Sequence, residues 1–321
     1  MFNRLDVEEI IRQKVYARFD GSPYLYLYDA EDFPALNKKG FSFESSLGHS
    51  MQAYFYYYDK PIENRLIIFE HGLWGCHRSY LKEIEMLCKR GYLVLAQDHT
   101  GCMESGGKDT NGFAESLRDL NDLLNAIYEI DELKNYDISI IGHSWGAYST
   151  MNITALHPKI RHLVPISGFI SVKAIIKQNF RGILALLRKK VMKIEKRSNP
   201  DFFNYSAEKT LKATSAKVLI VHSVDDATVE YDYSAKKLQK SLKKKDNVEF
   251  LIVKNKGHNP NYTENAVKLK RAMQAEIKEH MLDGKLEDEE FCKEFLAKHD
   301  WDKITEQDIE VWNKIFEFLE K

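Results

Sequence analysis

The most informative stretch of the chain is residues 138–149, which read I-S-I-I-G-H-S-W-G-A-Y-S. The apolar residues Ile138, Ile140 and Ile141 are typical of the end of a buried strand. A G-x-S-x-G motif follows them, and the residues after the motif favour a helix. This order predicts a sharp strand-to-helix turn that presents the hydroxyl of Ser144 above a sheet, in a strained backbone conformation.

Two glycines flank the predicted turn. Because such a turn brings its two arms close together, the positions two before and two after the serine must be small, and Gly142 and Gly146 meet that requirement. The helix after Ser144 would point its free N–H groups and positive dipole end at an oxyanion that forms there. The alternative is a glycine-rich turn that matches the motif by chance, and the flanking strand and helix argue against it.

The composition indicates a globular chain with a large core. The 321 residues are 44% apolar and 30% charged, and the formal net charge of −1 gives no argument for nucleic-acid binding. The four cysteines form no C-x-x-C pair, and no His/Cys cluster has zinc spacing, so we expect reduced thiols and no metal site. The N-terminus lacks the apolar core of a signal peptide, and no window is long enough for a membrane span. We therefore expect a soluble, cytoplasmic protein.

Short apolar runs alternate with helix-favouring segments along most of the chain, which predicts an α/β fold with a mostly parallel sheet and helices on both faces. A hairpin signal at residues 41–58 adds antiparallel strands at one edge, and residues 4–18 suit a short amphipathic helix. Tyrosines alternate with leucines over residues 24–28, and this pattern leaves a strand and an irregular arm equally open. The predicted parallel strands are 65–70, 92–97, 137–141, 162–166, 218–221 and 248–253.

The alternation breaks once within the core and again at the end of the chain. Residues 168–213 are predicted to form a small helical cap above the carboxyl ends of the strands, with a helix over 172–194. We interpret the basic residues of this helix as a solvent-exposed face rather than an anion-binding site. Residues 286–321 predict two amphipathic helices that pack on the core as an extension, with a dimer contact as the alternative. The predicted organisation is an arm over 1–39, a core with its cap over 40–285, and this extension.

The serine requires a general base and an acid. If the order along the chain is nucleophile, acid, histidine, the base is best supplied by His258, which follows the last predicted strand in a glycine-containing loop. The acid should follow the preceding strand, where Asp225 and Asp226 are both candidates. A carboxylate at that point would orient the imidazole and stabilise its protonated form.

The chain resembles the α/β-hydrolase family over roughly residues 40–280. Its motifs are His71-Gly72-Leu73-Trp74, similar to the family's H-G-x oxyanion loop, Asp98-His99-Thr100-Gly101 followed by Ser105, the G-x-S-x-G turn, and the segment from Ser223 to Val229. The resemblance implies that the backbone N–H groups of Leu73 and Trp145 bind the oxyanion. Counting from Ser223, which stands where the family usually has glycine, favours Asp226 over Asp225 as the acid.

The motifs together predict a serine hydrolase that cleaves carboxylic esters with small to medium acyl groups, through an acyl-enzyme and without a cofactor. The alternatives are an aminopeptidase or acyl-peptidase, a thioesterase, and a non-catalytic binding protein on the same fold. The expected partners are a small ester or acyl substrate and, at most, a second copy of the chain, so that the protein is a monomer or homodimer. The predicted pocket walls are Trp74, Phe169, Ile170, Ile175 and Phe180.

Overall fold

A computed structural model describes residues 7–321 and places an eight-stranded sheet at the centre of the protein. The strands are β1 (Asn37–Glu44), β2 (Ser50–Tyr57), β3 (Arg65–Glu70), β4 (Leu93–Gln97), β5 (Asp137–His143), β6 (His162–Ile166), β7 (Lys217–Ser223) and β8 (Val248–Val253). Their order in the sheet is β1-β2-β4-β3-β5-β6-β7-β8. The pairs β1–β2 and β2–β4 are antiparallel and the other pairs are parallel. The predicted edge hairpin and mostly parallel sheet are both confirmed.

Helices cover both faces of the sheet, as predicted. The α-helices are α1 (Val7–Lys14), α2 (Leu81–Lys89), α3 (Glu115–Tyr128), α4 (Trp145–Asn152), α5 (Val172–Asn179), α6 (Arg188–Ser198), α7 (Ala207–Ala213), α8 (Ala235–Ser241), α9 (Glu264–Leu282), α10 (Glu289–Lys298), α11 (Trp301–Ile304) and α12 (Ile309–Leu319). Part of the predicted helix over 4–18 is α1, and residues 4–6 lie outside the described part of the chain.

Two hydrophobic cores lie on opposite faces of the sheet because successive strand residues point to opposite sides. On β3, Ile68 packs in the core that includes Leu117 of α3. Its neighbour Ile67 packs in the other core, together with Ile84 of α2 and Trp312 of α12. All five of these residues are buried. The parallel strands are thus covered on both sides, which is why they read as continuous apolar runs.

The region between β6 and β7 is helical but interrupted. A 3-10 turn over Gly182–Leu187 separates α5 from α6, so the predicted helix over 172–194 is wrong as a continuous element. Helix α5 ends at Asn179, and the turn begins at Gly182, whose positive φ of 56° favours glycine. Ile183 and Leu186 in this turn are 84% and 83% exposed.

The segment that contains Tyr28 contacts the C-terminal segment of the chain. Residues 24–28 form no strand, and the Tyr28 hydroxyl donates to Asp302 Oδ1 at 3.0 Å. Lys256, in the loop after β8, donates from Nζ to the carboxylate of Asp308, which is the N-cap residue of α12 in the C-terminal segment. No helix within residues 7–321 combines the length and apolar character that a membrane crossing needs. The division of the chain at residues 39 and 285 remains a prediction.

Candidate active site

The turn between β5 and α4 holds Ser144 in a strained conformation. Strand β5 ends at His143 and helix α4 begins at Trp145, so a single residue makes the connection. Ser144 has φ 55° and ψ −108°, in the region of positive φ that residues with a side chain rarely adopt. Its backbone N–H donates to Ile166 O at 2.8 Å, which ties the turn to the end of β6. The serine is half-buried at the carboxyl edge of the sheet.

The glycines that flank the serine are required by close backbone packing. A Cβ at Gly142 would lie 2.4 Å from Gly146 O, and a Cβ at Gly146 would lie 2.3 Å from Glu70 O on β3. Both distances are far below van der Waals contact. Any side chain at either position would push helix α4 away from the sheet and displace Ser144.

The structure brings His258 and Asp226 together. His258 Nδ1 lies 2.8 Å from Asp226 Oδ2, with the aspartate side chain fully buried and the histidine side chain 21% exposed. The other carboxylate oxygen of Asp226 accepts the backbone N–H groups of Thr228 and Val229 at 2.9 and 3.0 Å. Since a carboxylate only accepts, Nδ1 of His258 carries the proton and Nε2 is left with a free lone pair. This is the tautomer that a general base needs.

The neighbouring Asp225 has a different role from Asp226. Its carboxylate accepts the backbone N–H groups of Lys256 and Gly257, both at 3.2 Å, and pairs with Arg271 at 3.1 Å. Burial raises the pKa of Asp225, but hydrogen bonds from Ser223, Arg271 and Gly257 outweigh this and lower the pKa below its usual value. Asp225 therefore stays ionised and anchors the loop that carries His258.

The backbone amides of Leu73 and Trp145 are available as hydrogen-bond donors. Within residues 7–321, neither amide donates to a protein acceptor. The loop of Leu73 passes close to the serine, because a Cβ at the preceding Gly72 would lie 3.4 Å from Ser144 Cβ. Trp145 is the first residue of α4, so its N–H is one of the unsatisfied donors at a helix N-terminus. Trp74 follows with φ 58° and is 55% exposed.

The predicted pocket residues of the cap differ in exposure. Phe169, Ile170 and Ile175 are each less than a tenth exposed and belong to the hydrophobic core, and Phe180 is half-buried against it. Phe169 stacks on Tyr148 of α4 with ring centroids 4.7 Å apart. Phe169 thus packs against α4, and contact of the predicted pocket residues with substrate remains a prediction.

A cluster of buried titratable groups lies beneath the turn. Burial raises the pKa of Glu70 to about 8 and lowers the pKa of His99 to about 3, so near neutral pH the carboxyl is largely protonated and the imidazole is neutral. Glu70 Oε2 lies 3.4 Å from His99 Nε2, and His99 Nδ1 lies 3.2 Å from Asp119 Oδ2. A protonated Glu70 beside a neutral His99 is an uncharged pair, and burial also raises the pKa of the adjoining Asp119 to about 7. This cluster was not anticipated from the sequence, where each residue is an isolated polar position.

Comparisons with known proteins agree with the fold. Residues 62–203 match the Hydrolase_4 family, described as Serine aminopeptidase, S33. An esterase from Pyrococcus furiosus is 17% identical with a TM-score of 0.58, covering 84% of this chain and 97% of that one. Est1E from Butyrivibrio proteoclasticus, solved with ferulic acid bound, is 20% identical with a TM-score of 0.56, covering 76% and 98%. No curated protein shows significant sequence similarity to the chain.

A third solved structure extends the comparison to peptidases. The acylaminoacyl peptidase from Pyrococcus horikoshii is 18% identical with a TM-score of 0.52, covering 71% of this chain and 38% of that one. The sheet order, the single-residue turn at Ser144 and the solved structures show that the chain has the α/β-hydrolase fold. The family match over residues 62–203 lies within that fold.

Proposed function

We propose that the protein is a serine hydrolase that cleaves carboxylic esters with small to medium acyl groups, using Ser144 as nucleophile, His258 as base and Asp226 as the acid that orients it. The observation that carries the proposal is the 2.8 Å bond between His258 Nδ1 and Asp226 Oδ2 at the same sheet edge as the strained Ser144. The rings of His258 and His143, the residue before the serine, have centroids 4.7 Å apart.

In the proposed reaction, His258 Nε2 takes the proton of Ser144 as its oxygen attacks the substrate carbonyl. The free amides of Leu73 and Trp145 hold the resulting oxyanion, each donor lowering the barrier by roughly 3 kcal/mol. His258 then protonates the leaving alcohol, and finally activates a water molecule that releases the acid. Within residues 7–321 the Ser144 hydroxyl makes no hydrogen bond to His258, so in the proposed reaction a side-chain rotation brings the two groups together when substrate binds.

An aminopeptidase is the second candidate, because the matching family carries that description. A free substrate amine is bound most strongly by an unengaged carboxylate near the nucleophile, because charge-assisted hydrogen bonds are the strong ones. The two carboxylates of the segment after β7 are both occupied, Asp226 by the imidazole and Asp225 by the His258 loop and Arg271. Ester hydrolysis makes no such demand, which is why we favour it. A thioesterase would use the same residues.

Two experiments test the proposal. A fluorophosphonate probe should label the native protein and fail to label Ser144→Ala; an unlabelled native protein would point to a binding protein instead. A panel of p-nitrophenyl esters, acyl thioesters and aminoacyl p-nitroanilides should show the highest kcat/KM for short and medium esters. Turnover of the anilides alone would replace the esterase with an aminopeptidase.

A further inference from the structure

The imidazole of His143 bonds to two separate parts of the candidate active site. Its Nε2 lies 2.7 Å from the backbone carbonyl oxygen of His258, and its Nδ1 lies 2.8 Å from the hydroxyl of Tyr80. The same Tyr80 hydroxyl accepts the backbone N–H of Gly72 at 3.2 Å. One side chain on the last residue of β5 thus connects the loop after β8 with the loop after β3.

We call the hydrogen bonds that join the His258 carbonyl, His143, the Tyr80 hydroxyl and the Gly72 N–H the relay. The direction of each bond follows from the carbonyl at one end, which only accepts, and the N–H at the other, which only donates. A carbonyl oxygen only accepts, so His143 Nε2 carries the proton and donates a hydrogen bond to the His258 carbonyl oxygen. In a neutral imidazole the other nitrogen accepts, so the Tyr80 hydroxyl donates to His143 Nδ1 and keeps a lone pair for the Gly72 N–H. All groups are satisfied only when His143 is neutral.

The surroundings of His143 keep it neutral. The residue is 5% exposed. Burial lowers its pKa well below the usual value, and the positive charge that His258 gains on protonation lowers it further. The relay therefore keeps its hydrogen bonds at the moment when His258 becomes an imidazolium.

We propose that His143 and Tyr80 are positioning residues that hold the His258 loop and the Gly72–Leu73 loop at fixed distances from Ser144. This inference rests on the proposed function, since it assigns the two loops the roles of base and oxyanion donor. The connection is short, because His143 is adjacent to the nucleophile and Gly72 is adjacent to Leu73. A shift of about 1 Å in catalytic geometry costs about 100-fold in rate.

The test compares variants that keep or remove each bond. His143→Phe removes both bonds, and we expect kcat on the best ester to fall about 100-fold with KM changed little. His143→Gln keeps an amide donor near the position of Nε2 and should recover a large part of kcat. Tyr80→Phe keeps the ring and removes only the hydroxyl, and we expect a fall of about tenfold because half of the relay remains.

Matched controls separate positioning from general stability. His162 is also a buried histidine on the sheet, at the opposite end of the β5–β6 pair, and Tyr56 is a buried tyrosine whose hydroxyl has no partner within residues 7–321. His162→Phe and Tyr56→Phe should keep kcat near the native value, and melting temperatures of all variants show which changes act through folding.

The outcomes distinguish the inference from the function it rests on. Native kcat in well-folded His143→Phe and Tyr80→Phe, with Ser144→Ala inactive, would overturn the positioning role and leave the hydrolase intact. Loss of kcat in His143→Phe without recovery in His143→Gln, while Tyr80→Phe stays native, would also overturn it. Absence of labelling and turnover in the native protein would instead overturn the proposed function.

Discussion

Two aspartate–histidine pairs in this protein have almost the same geometry and opposite surroundings. His258 Nδ1 lies 2.8 Å from Asp226 Oδ2, with the imidazole side chain 21% exposed. His77 Nδ1 lies 2.9 Å from Asp98 Oδ1, with both side chains 3% exposed or less. The distance within such a pair therefore does not by itself identify a candidate base. His258 is the candidate because its side chain is accessible to solvent and Ser144 lies at the same edge of the sheet.

The most direct test of this contrast substitutes each aspartate by asparagine. Asp226→Asn should lower kcat/KM by roughly 10,000-fold, because the amide no longer holds His258 in the tautomer with a free Nε2. Asp98→Asn should leave the kcat of the folded enzyme within about threefold of native but lower the free energy of unfolding by about 3 kcal/mol, since it breaks a buried pair. Steady-state kinetics and urea denaturation measure the two effects. Equal losses of kcat/KM in both variants would abolish the distinction.

The second test concerns Gly146, which lies between the Ser144 turn and the buried cluster of Glu70, His99 and Asp119. Gly146→Ala should destabilise the fold by about 3 kcal/mol, because the new Cβ would lie 2.3 Å from Glu70 O and force α4 outward. We also expect loss of fluorophosphonate labelling as Ser144 moves with the helix. Gly40→Ala is the matched control, since a Cβ there has only one neighbour, at 4.0 Å on Tyr54. A native melting temperature and native labelling in Gly146→Ala would contradict the packing described above.

The buried cluster also predicts how stability depends on pH. Burial raises the pKa of Glu70 from 4.5 to about 8, so the folded protein binds this proton more tightly than the unfolded chain. Stability contributed by the protonated carboxyl is complete below pH 4.5 and is lost as the pH rises to about 8. Other buried groups with shifted pKa values, such as His99, are present in both proteins, so the comparison with Glu70→Gln isolates this contribution. Relative to Glu70→Gln, the native protein should lose about 5 °C of melting temperature over this window. A difference between the two melting temperatures that stays constant over the window would show that the carboxyl of Glu70 does not titrate there.

The weakest effect concerns the loop that carries His258. Asp225→Asn removes the charge that pairs with Arg271 but keeps an oxygen that accepts from Gly257. Because partly exposed ion pairs contribute at most about 1 kcal/mol, kcat/KM should fall no more than about fivefold. The native enzyme in about 1 M salt should move toward the variant, because salt screens the same pair. A loss as large as that of Asp226→Asn would mean that Asp225 takes part in the chemistry.

Much of the fold was predictable because its signals are local. The apolar runs of β3 to β8, the hairpin and the G-x-S-x-G turn each depend on residues close together in sequence. The loop of His258 was also identified from its place after the last strand. The preference for Asp226 over Asp225 came from a resemblance and remained open on residue chemistry alone. The structure distinguishes the two by their hydrogen bonds.

The parts that were not predicted depend on contacts between distant segments. Tyr80 and His143 are 63 residues apart, and nothing near Tyr80 marks it as a partner of the serine turn. The contact between Glu70 and His99, and the burial that shifts the pKa of each, arise only when β3 and the segment after β4 lie side by side. The break at Gly182 had a local signal, a glycine inside an apolar and basic run, but the run's helical periodicity outweighed it.

The contact between Lys256 and Asp308 connects the C-terminal segment to the loop that carries His258. Lys256 precedes His258 by two residues, and its ammonium group also donates to Tyr262 O at 2.7 Å. Asp308 in turn caps α12, whose aromatic residues are embedded against the sheet. If the chain ended before Asp308, the ammonium group of Lys256, whose side chain is 8% exposed, would lose the carboxylate that pairs with it.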